Sequence, residues 1–279
     1  MDLDTLTSAI RSRKSVRSYA PEPLSAHDDA ILDVALHTAS NPFGETVHLY
    51  KLAQDTAARG ERLGTYGIIR GAQTFIGASA QPTPLAPLAL GYEVEQVILR
   101  LTAAGLGTVW LGGTFKRSAF ARAMGVPASE WFPAIVPVGV AAAKRGSAER
   151  LMRVVAKSDQ REAWRDLFTE DGFQIQLSEE AAGRYALPLE MLRLAPSALN
   201  AQPWRVVKAG RAFHFFETHK TGSSVNEARL KGVDLGIAIA HFHLTAQALD
   251  LAGHFAVQPL AGVHIPENTI YHISWICDD

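Results

Sequence analysis

Two stretches of this chain repeat each other. Leu101-Thr102-Ala103 and Leu244-Thr245-Ala246 are identical, 143 residues apart, and each lies in a long segment whose apolar residues recur with a helical period. Each segment has a glycine-containing exit, Gly105-Leu106-Gly107 in one case and Leu251-Ala252-Gly253 in the other. Upstream, Ala35–Asn41 and Leu192–Asn200 both read as a helix running into a loop that carries Ser and Asn. A tripeptide recurs by chance; the matching order of elements around it predicts an internal duplication. The length agrees, since 279 residues correspond to about two domains of ~150 each. The expected division is residues 1–157 and 158–279, packed intimately as one unit.

The local signals place the elements. Asp4 is expected to cap a helix over Thr5–Ser12, and Ser25 with Asp28 forms a capping-box variant opening a second helix. Gly71–Ser79 and Trp131–Ala142 read as strands on either side of the helix Leu90–Ala104, and Thr114–Met124 reads as a helix closed by Gly125 and Pro127. Lys144–Asp171 is a charged, partly helical connection between the halves. Beyond it come a helix at Leu187–Leu194 and a hairpin, Trp204–Ala209 and Ala212–Glu217, turning at Gly210-Arg211. A helix at Asp234–Leu249 and a strand at Tyr271–Ile276 follow. Hairpins mixed with helices make the class α+β rather than a doubly wound sheet.

Composition narrows the function. Lys and Arg number 27 against 28 Asp and Glu, a net charge of −1, so no chain-wide basic field exists for nucleic acid. The lone cysteine, Cys277, rules out an intramolecular disulfide and a CxxC pair. The polar N-terminus has no secretory core and no run of 18 apolar residues appears, so the expectation is a cytoplasmic protein without a membrane segment.

Four constellations carry chemistry. Arg13-Lys14-Ser15-Val16-Arg17 sets three cations and a hydroxyl within five residues, the donor set a phosphate needs; a solvated basic face is the alternative. Pro196-Ser197-Ala198-Leu199-Asn200-Ala201-Gln202-Pro203-Trp204 mixes small and amide side chains that admit a flat ligand; an ordinary helix-to-strand loop is the alternative. Trp110-Leu111-Gly112-Gly113 exposes backbone N–H groups in a turn. Arg145, Arg150 and Arg153 add cations. No phosphate loop, HExxH or nucleophile elbow is present, and His241 and His243 fall on different helix faces, so no metal site is expected.

Together these pieces resemble the nitroreductase-like flavoproteins. Arg11-Ser12-Arg13-Lys14-Ser15-Val16-Arg17-Ser18-Tyr19 resembles their N-terminal signature, Pro196-Ser197-Ala198 with Asn200 and Gln202-Pro203-Trp204 the second, and Gly105–Gly113 the third, with Arg70-Gly71-Ala72 entering a strand. The order departs from an ordinary member, where the second signature closely follows the first. Here Ala39-Ser40-Asn41-Pro42-Phe43-Gly44-Glu45 stands in that place, and the motif lies in the second half. Asp234–Phe242 looks like the helix of the internally duplicated branch. The resemblance therefore implies a nitroreductase-like fold of two tandem halves, a pseudo-dimer.

The resemblance also implies a cofactor, FMN, at one composite site. By it, Arg13, Lys14 and Ser15 hold the phosphate and ribityl or pyrimidine edge, and Arg17 lies near a pyrimidine carbonyl. Leu111, Gly112 and Gly113 lie against the ring near N5, and Pro196, Ser197, Ala198, Asn200 and Gln202 form the facing loop. Arg153, or else Arg145, is the late phosphate ligand. No side chain is assigned an acid or base role. The implied activity is ping-pong hydride transfer from NAD(P)H to a small electron-poor acceptor such as a nitroaromatic or quinone, in a monomer. The alternatives are another flavin reaction on the scaffold, dehydrogenation or dehalogenation, and a non-catalytic ligand-binding protein.

Overall fold

The computed structural model describes residues 1–53, 63–143, 160–219, 225–260 and 263–278. The expected boundary at 157/158 and most of the charged connection, 144–159, lie outside them. The first half runs α1 (Leu3–Ser12), α2 (Ala26–Thr38), β1 (Val47–Ala53), β2 (Thr74–Ala80), α3 (Ala86–Ala103), β3 (Gly107–Thr108), α4 (Arg117–Met124) and β4 (Trp131–Gly139). The second runs α5 (Trp164–Leu167), β5 (Phe168–Glu170), β6 (Ile175–Gln176), α6 (Glu179–Ala182), α7 (Ala186–Arg193), β7 (Trp204–Ala209), β8 (Ala212–Thr218), α8 (Val225–Ala248), β9 (Gly253–Ala256) and β10 (Thr269–Cys277).

The duplication is visible in the sheets. The first has strand order β1-β2-β4-β3, and the second contains the matching run β7-β8-β10-β9, extended at its β7 edge by β5 and β6. All these matching pairs are antiparallel, and the long helix follows the second strand in both. The class is α+β with two tandem halves, as the sequence indicates.

The halves are joined at the crossing of α3 and α8. A Cβ on Gly91 would sit 2.2 Å from the Val233 carbonyl oxygen, and one on Gly236 would sit 2.1 Å from that of Leu88. Gly91 and Gly236 are 145 residues apart, and so are Leu88 and Val233. The contact is thus its own image under a pseudo-twofold. This corrects the repeat read from the sequence: the identical tripeptides, 143 apart, are two residues out of structural register. Around the crossing one core is continuous between halves, joining Ile76, Val97 and Val136 to Phe168, Trp204 and Phe242. A smaller cluster sets Leu6, Ala9 and Ile10 of α1 against Leu99 and Met191, so the N-terminal helix packs on α7 of the second half.

Some boundaries differ from expectation. Asp2, not Asp4, caps α1, accepting from the Thr5 N–H at 2.8 Å. Ser25 caps α2 as read, accepting from the Asp28 N–H. α3 starts four residues early, with Pro87 in its first turn, where a missing N–H costs nothing. α8 starts nine residues early, through polar residues and Gly232; there a Cβ would come within 2.8 Å of Pro87.

Candidate functional site

The basic cluster follows α1 and turns along the start of β3. Ser15 bridges Thr108, and the Val16 N–H donates to the Thr108 carbonyl at 2.9 Å. Gly107 permits this approach, because its Cβ would lie 2.9 Å from that of Val16. From Thr108 the chain continues to Leu111, which exchanges two backbone hydrogen bonds with Ile135, and then to Gly112 and Gly113. Two of the sequence-derived groups are therefore neighbours. Lys14 is exposed, and Ser15 and Arg17 are half-buried.

The glycine turn is open. Among the described residues nothing lies within 4 Å of a Cβ built on Gly113, and Gly112 would meet only Leu230 Cδ2, at 3.7 Å. Neither adopts the left-handed backbone that favours glycine. Neither packing nor backbone conformation requires glycine here, so the pair leaves a clear space against the main chain, as a flat ligand needs.

The loop 196–202 is strained. Leu199, Asn200 and Gln202 have φ of 53°, 56° and 46°, and Leu199 is 89% exposed. Such outliers persist where the surroundings hold them. The Ser197 hydroxyl accepts from the Gln202 N–H at 2.8 Å, and both Asp234 carboxylate oxygens lie within 3.1 Å of the Ala198 N–H. The amides face inward: Gln202 Oε1 accepts from the Glu162 N–H at 2.9 Å, Asn200 Nδ2 donates to the Gln160 carbonyl at 2.9 Å, and Arg161 donates to Asn200 Oδ1 at 3.2 Å.

α8 ties the parts together. Leu230 lies beside Gly112, Asp234 meets Ala198, and His241 meets Glu95, which faces Arg13 of the basic cluster. Spacings of four and eleven residues put the three on one helix face. His241 Nε2 lies 3.0 Å from Glu95 Oε1 and its Nδ1 3.0 Å from the Met191 carbonyl, so both ring nitrogens face acceptors. Glu95, fully buried, also accepts from the Trp110 indole N–H at 2.8 Å and faces Arg13 Nε at 4.0 Å. Burial pushes the Glu95 carboxyl up, but His241, Arg13 and Trp110 outweigh it and hold it below its ordinary value. Burial pulls the Arg13 guanidinium down, and Glu95 opposes this. The Arg13 side chain is thus largely buried, 8% exposed, and faces Glu95.

A scan against family models matches residues 5–246 to the family described as Putative TM nitroreductase. The chain belongs to this nitroreductase family. A crystal structure of a putative nitroreductase from Thermotoga maritima shares the fold over 100% of this chain and 95% of its own, with a TM-score of 0.63 and 20% identity. An FMN-bound nitroreductase from Bacteroides fragilis covers 50% of this chain and 90% of its own (22% identity, TM-score 0.40). A putative NADH dehydrogenase/NAD(P)H nitroreductase from Parabacteroides distasonis covers 50% and 89% (18% identity, TM-score 0.41). No curated protein matches.

In this family member Arg145, Arg150 and Arg153 lie outside the described residues. Among those described, no helix is long and apolar enough to cross a membrane, and no cluster of His, Cys, Asp or Glu is arranged to hold a metal. Sequence reasoning missed three residues that shape the site: Glu95, Asp234 and Arg161. Each acts on a partner 36 residues or more away, which local spacing does not reveal.

At places related to the site by the duplication, aromatic side chains from both halves pack together. Val109 follows Gly107 by two residues, and in the matching strand Phe255 follows Gly253 by two. Phe255 packs edge-on against Phe43, from the loop that stands where the second signature would be, with ring centroids 5.3 Å apart. His243 and Trp275 each lie 5.0 Å from Phe255, and Tyr92 is 5.7 Å from Phe43.

Asp234 yields a pH prediction. Burial, with Glu217 adding, pushes its carboxyl up to about 8, against the Ala198 N–H and Lys231. Its unfolded value is about 3.9. The folded state therefore holds the proton more tightly, and the associated stability, complete below about pH 4, is lost as pH rises through about 8. Asp234→Asn keeps an acceptor for Ala198 and removes the titration. Thermal unfolding from about pH 5 to about pH 9 is expected to show the native protein losing Tm relative to the variant. Parallel curves would refute the assignment.

Proposed function

We propose that this protein is an FMN-dependent oxidoreductase that passes a hydride from NAD(P)H to a small electron-poor acceptor, a nitroaromatic or quinone, at one site per chain. The observation that carries the reading is the convergence of a basic cluster, an open diglycine turn and a strained loop on one face of α8. The donor set fits the cofactor: cations and a hydroxyl for a phosphate, main-chain N–H groups for a ring edge, and a cleared surface for its plane.

In this reading Arg13, Lys14 and Ser15 receive the phosphate, with the Arg13 guanidinium facing Glu95 at 4.0 Å. Arg17 presents positive charge toward the pyrimidine end. Leu111, Gly112 and Gly113 orient the ring from one side, and Pro196, Ser197 and Ala198 from the other. Asn200 and Gln202 support that loop through residues 160–162. When bound, FMN would supply two-electron, hydride-level redox chemistry. The chain contributes binding, orientation and charge; no acid or base side chain is assigned a step. The aromatic packing of Phe43, Phe255 and Trp275 supports a single site, and the joined halves support a monomer. A reducing compartment, the cytoplasm, suits the lone free Cys277.

The test is an absorption spectrum after loading with FMN and desalting, followed by anaerobic NADPH or NADH. About one flavin per chain, bleached by the nicotinamide, is expected. Two flavins would overturn the single site. Retained but unbleached flavin would overturn the nicotinamide donor, and no retained flavin would overturn the cofactor.

A further inference from the structure

A cavity of ≈ 410 Å³ opens beside the diglycine turn, lined by Arg117, Val126, Glu130, Trp131, Phe132 and Leu230 among others. Its size is in the range that takes a small aromatic ligand. Its walls are largely apolar, and Arg117 and Leu230 connect it to the turn: Arg117 Nη2 donates to the Gly112 carbonyl at 2.7 Å, and Leu230 Cδ2 would lie 3.7 Å from a Cβ built on Gly112.

Arg117 is held but not neutralised. Its Nη2 also donates to the Pro133 carbonyl at 2.9 Å, its Nε donates to that of Phe132 at 2.8 Å, and its Cζ stands 5.1 Å from the Phe115 ring centroid. All three acceptors are uncharged. Burial alone moves its pKa, downward, with no acid acting on it. Among the described residues its Nη1 makes no hydrogen bond, and Arg117 as a whole is exposed, so two N–H donors remain available. Glu130, the acid in the lining, is committed elsewhere: it accepts from the Ser79 hydroxyl and lies 2.8 Å from His48 Nδ1.

A planar cation fixed by three carbonyls, with one edge free of partners, on a residue that lines a largely apolar cavity, is a recognition element for an oxyanion. We propose that Arg117 binds a carboxylate or phosphate oxygen carried by a flat ligand that occupies this cavity. As a substrate-selecting residue Arg117 rests on the flavin reading; as an anion-binding residue it does not. A carboxylate would belong to the acceptor, and a phosphate to the 2′ position of NADPH.

Calorimetric titration of the full chain, with and without FMN, tests this using two matched pairs, 4-nitrobenzoate against 4-nitrobenzamide and NADPH against NADH. The charged member of one pair is expected to bind about ten- to a hundredfold more tightly, and the pair that discriminates identifies the source of the oxyanion. Arg117→Gln is expected to abolish the difference while leaving the neutral member's affinity in place, and Arg117→Lys to retain part of it. Equal binding within both pairs, or parallel loss of both members in Arg117→Gln, overturns the proposal. A protein that retains no FMN yet discriminates by charge keeps this inference and loses the flavin reading; flavin bleached by NADPH without charge discrimination does the reverse.

Discussion

Gly236→Ala is expected to destabilise the protein by about 3 kcal/mol, with Gly91→Ala close behind. Two effects of opposite sign compete. In an unobstructed helix the added methyl would stabilise by up to about 1 kcal/mol. Here it would sit 2.1 Å from the Leu88 carbonyl oxygen, or 2.2 Å from that of Val233, and main chain on both sides must separate. Overpacking of this kind costs about 1–3 kcal/mol, occasionally more, and it outweighs the propensity gain. Urea denaturation with an unchanged m value measures it. Gly113→Ala is the control, because its methyl would enter open space. A stabilised Gly236→Ala would show that the helices do not cross as described.

Glu95→Ala is expected to cost about 3–5 kcal/mol, the usual result of removing one partner from a buried charged group. It strips the acceptor from Trp110 and His241 and leaves Arg13 buried without a counter-charge. Glu95→Gln preserves shape and one acceptor, so its cost is smaller. The acid dependence gives a second readout. The folded Glu95 value lies below the unfolded one of about 4.3, so its stabilisation is complete above that pH and is lost as pH falls through the folded value. Glu95→Gln is expected to flatten the acid limb of a stability curve measured by chemical denaturation. An acid limb identical to that of the native protein would remove Glu95 from the charged network.

The long apolar helices were legible because burial demands a helical apolar period, and α3 satisfies it on nearly every face. Strand β1 was not read, because its half-buried residues Val47–Ala53 follow no clean alternation. The repeat register was misread for a local reason. Thr102 and Thr245 each donate a side-chain hydrogen bond to the carbonyl four residues back, Ile98 in one helix and His241 in the other. That shared local use leaves the threonines without bearing on the register. Glycines at the crossing fix the register, and their meaning appears only when the facing carbonyl is known. Motif spelling located the basic cluster, the turn and the loop, but not the orientation of their side chains. Gln202 is buried, so its amide had to find a partner, and it found Glu162 across a stretch no spacing rule covers.

The paired crossing of α3 and α8 within one chain has an evolutionary consequence. In a symmetric pair of identical chains every substitution is made twice, so neither copy of a site can drift without the other. A single polypeptide lifts that constraint. Phe43 and Phe255, one from each half, meet at places where identical chains would carry each change twice. The covalent link also makes the crossing independent of dilution, since the second half is always present at high effective concentration. In such a chain selection acts on each position separately.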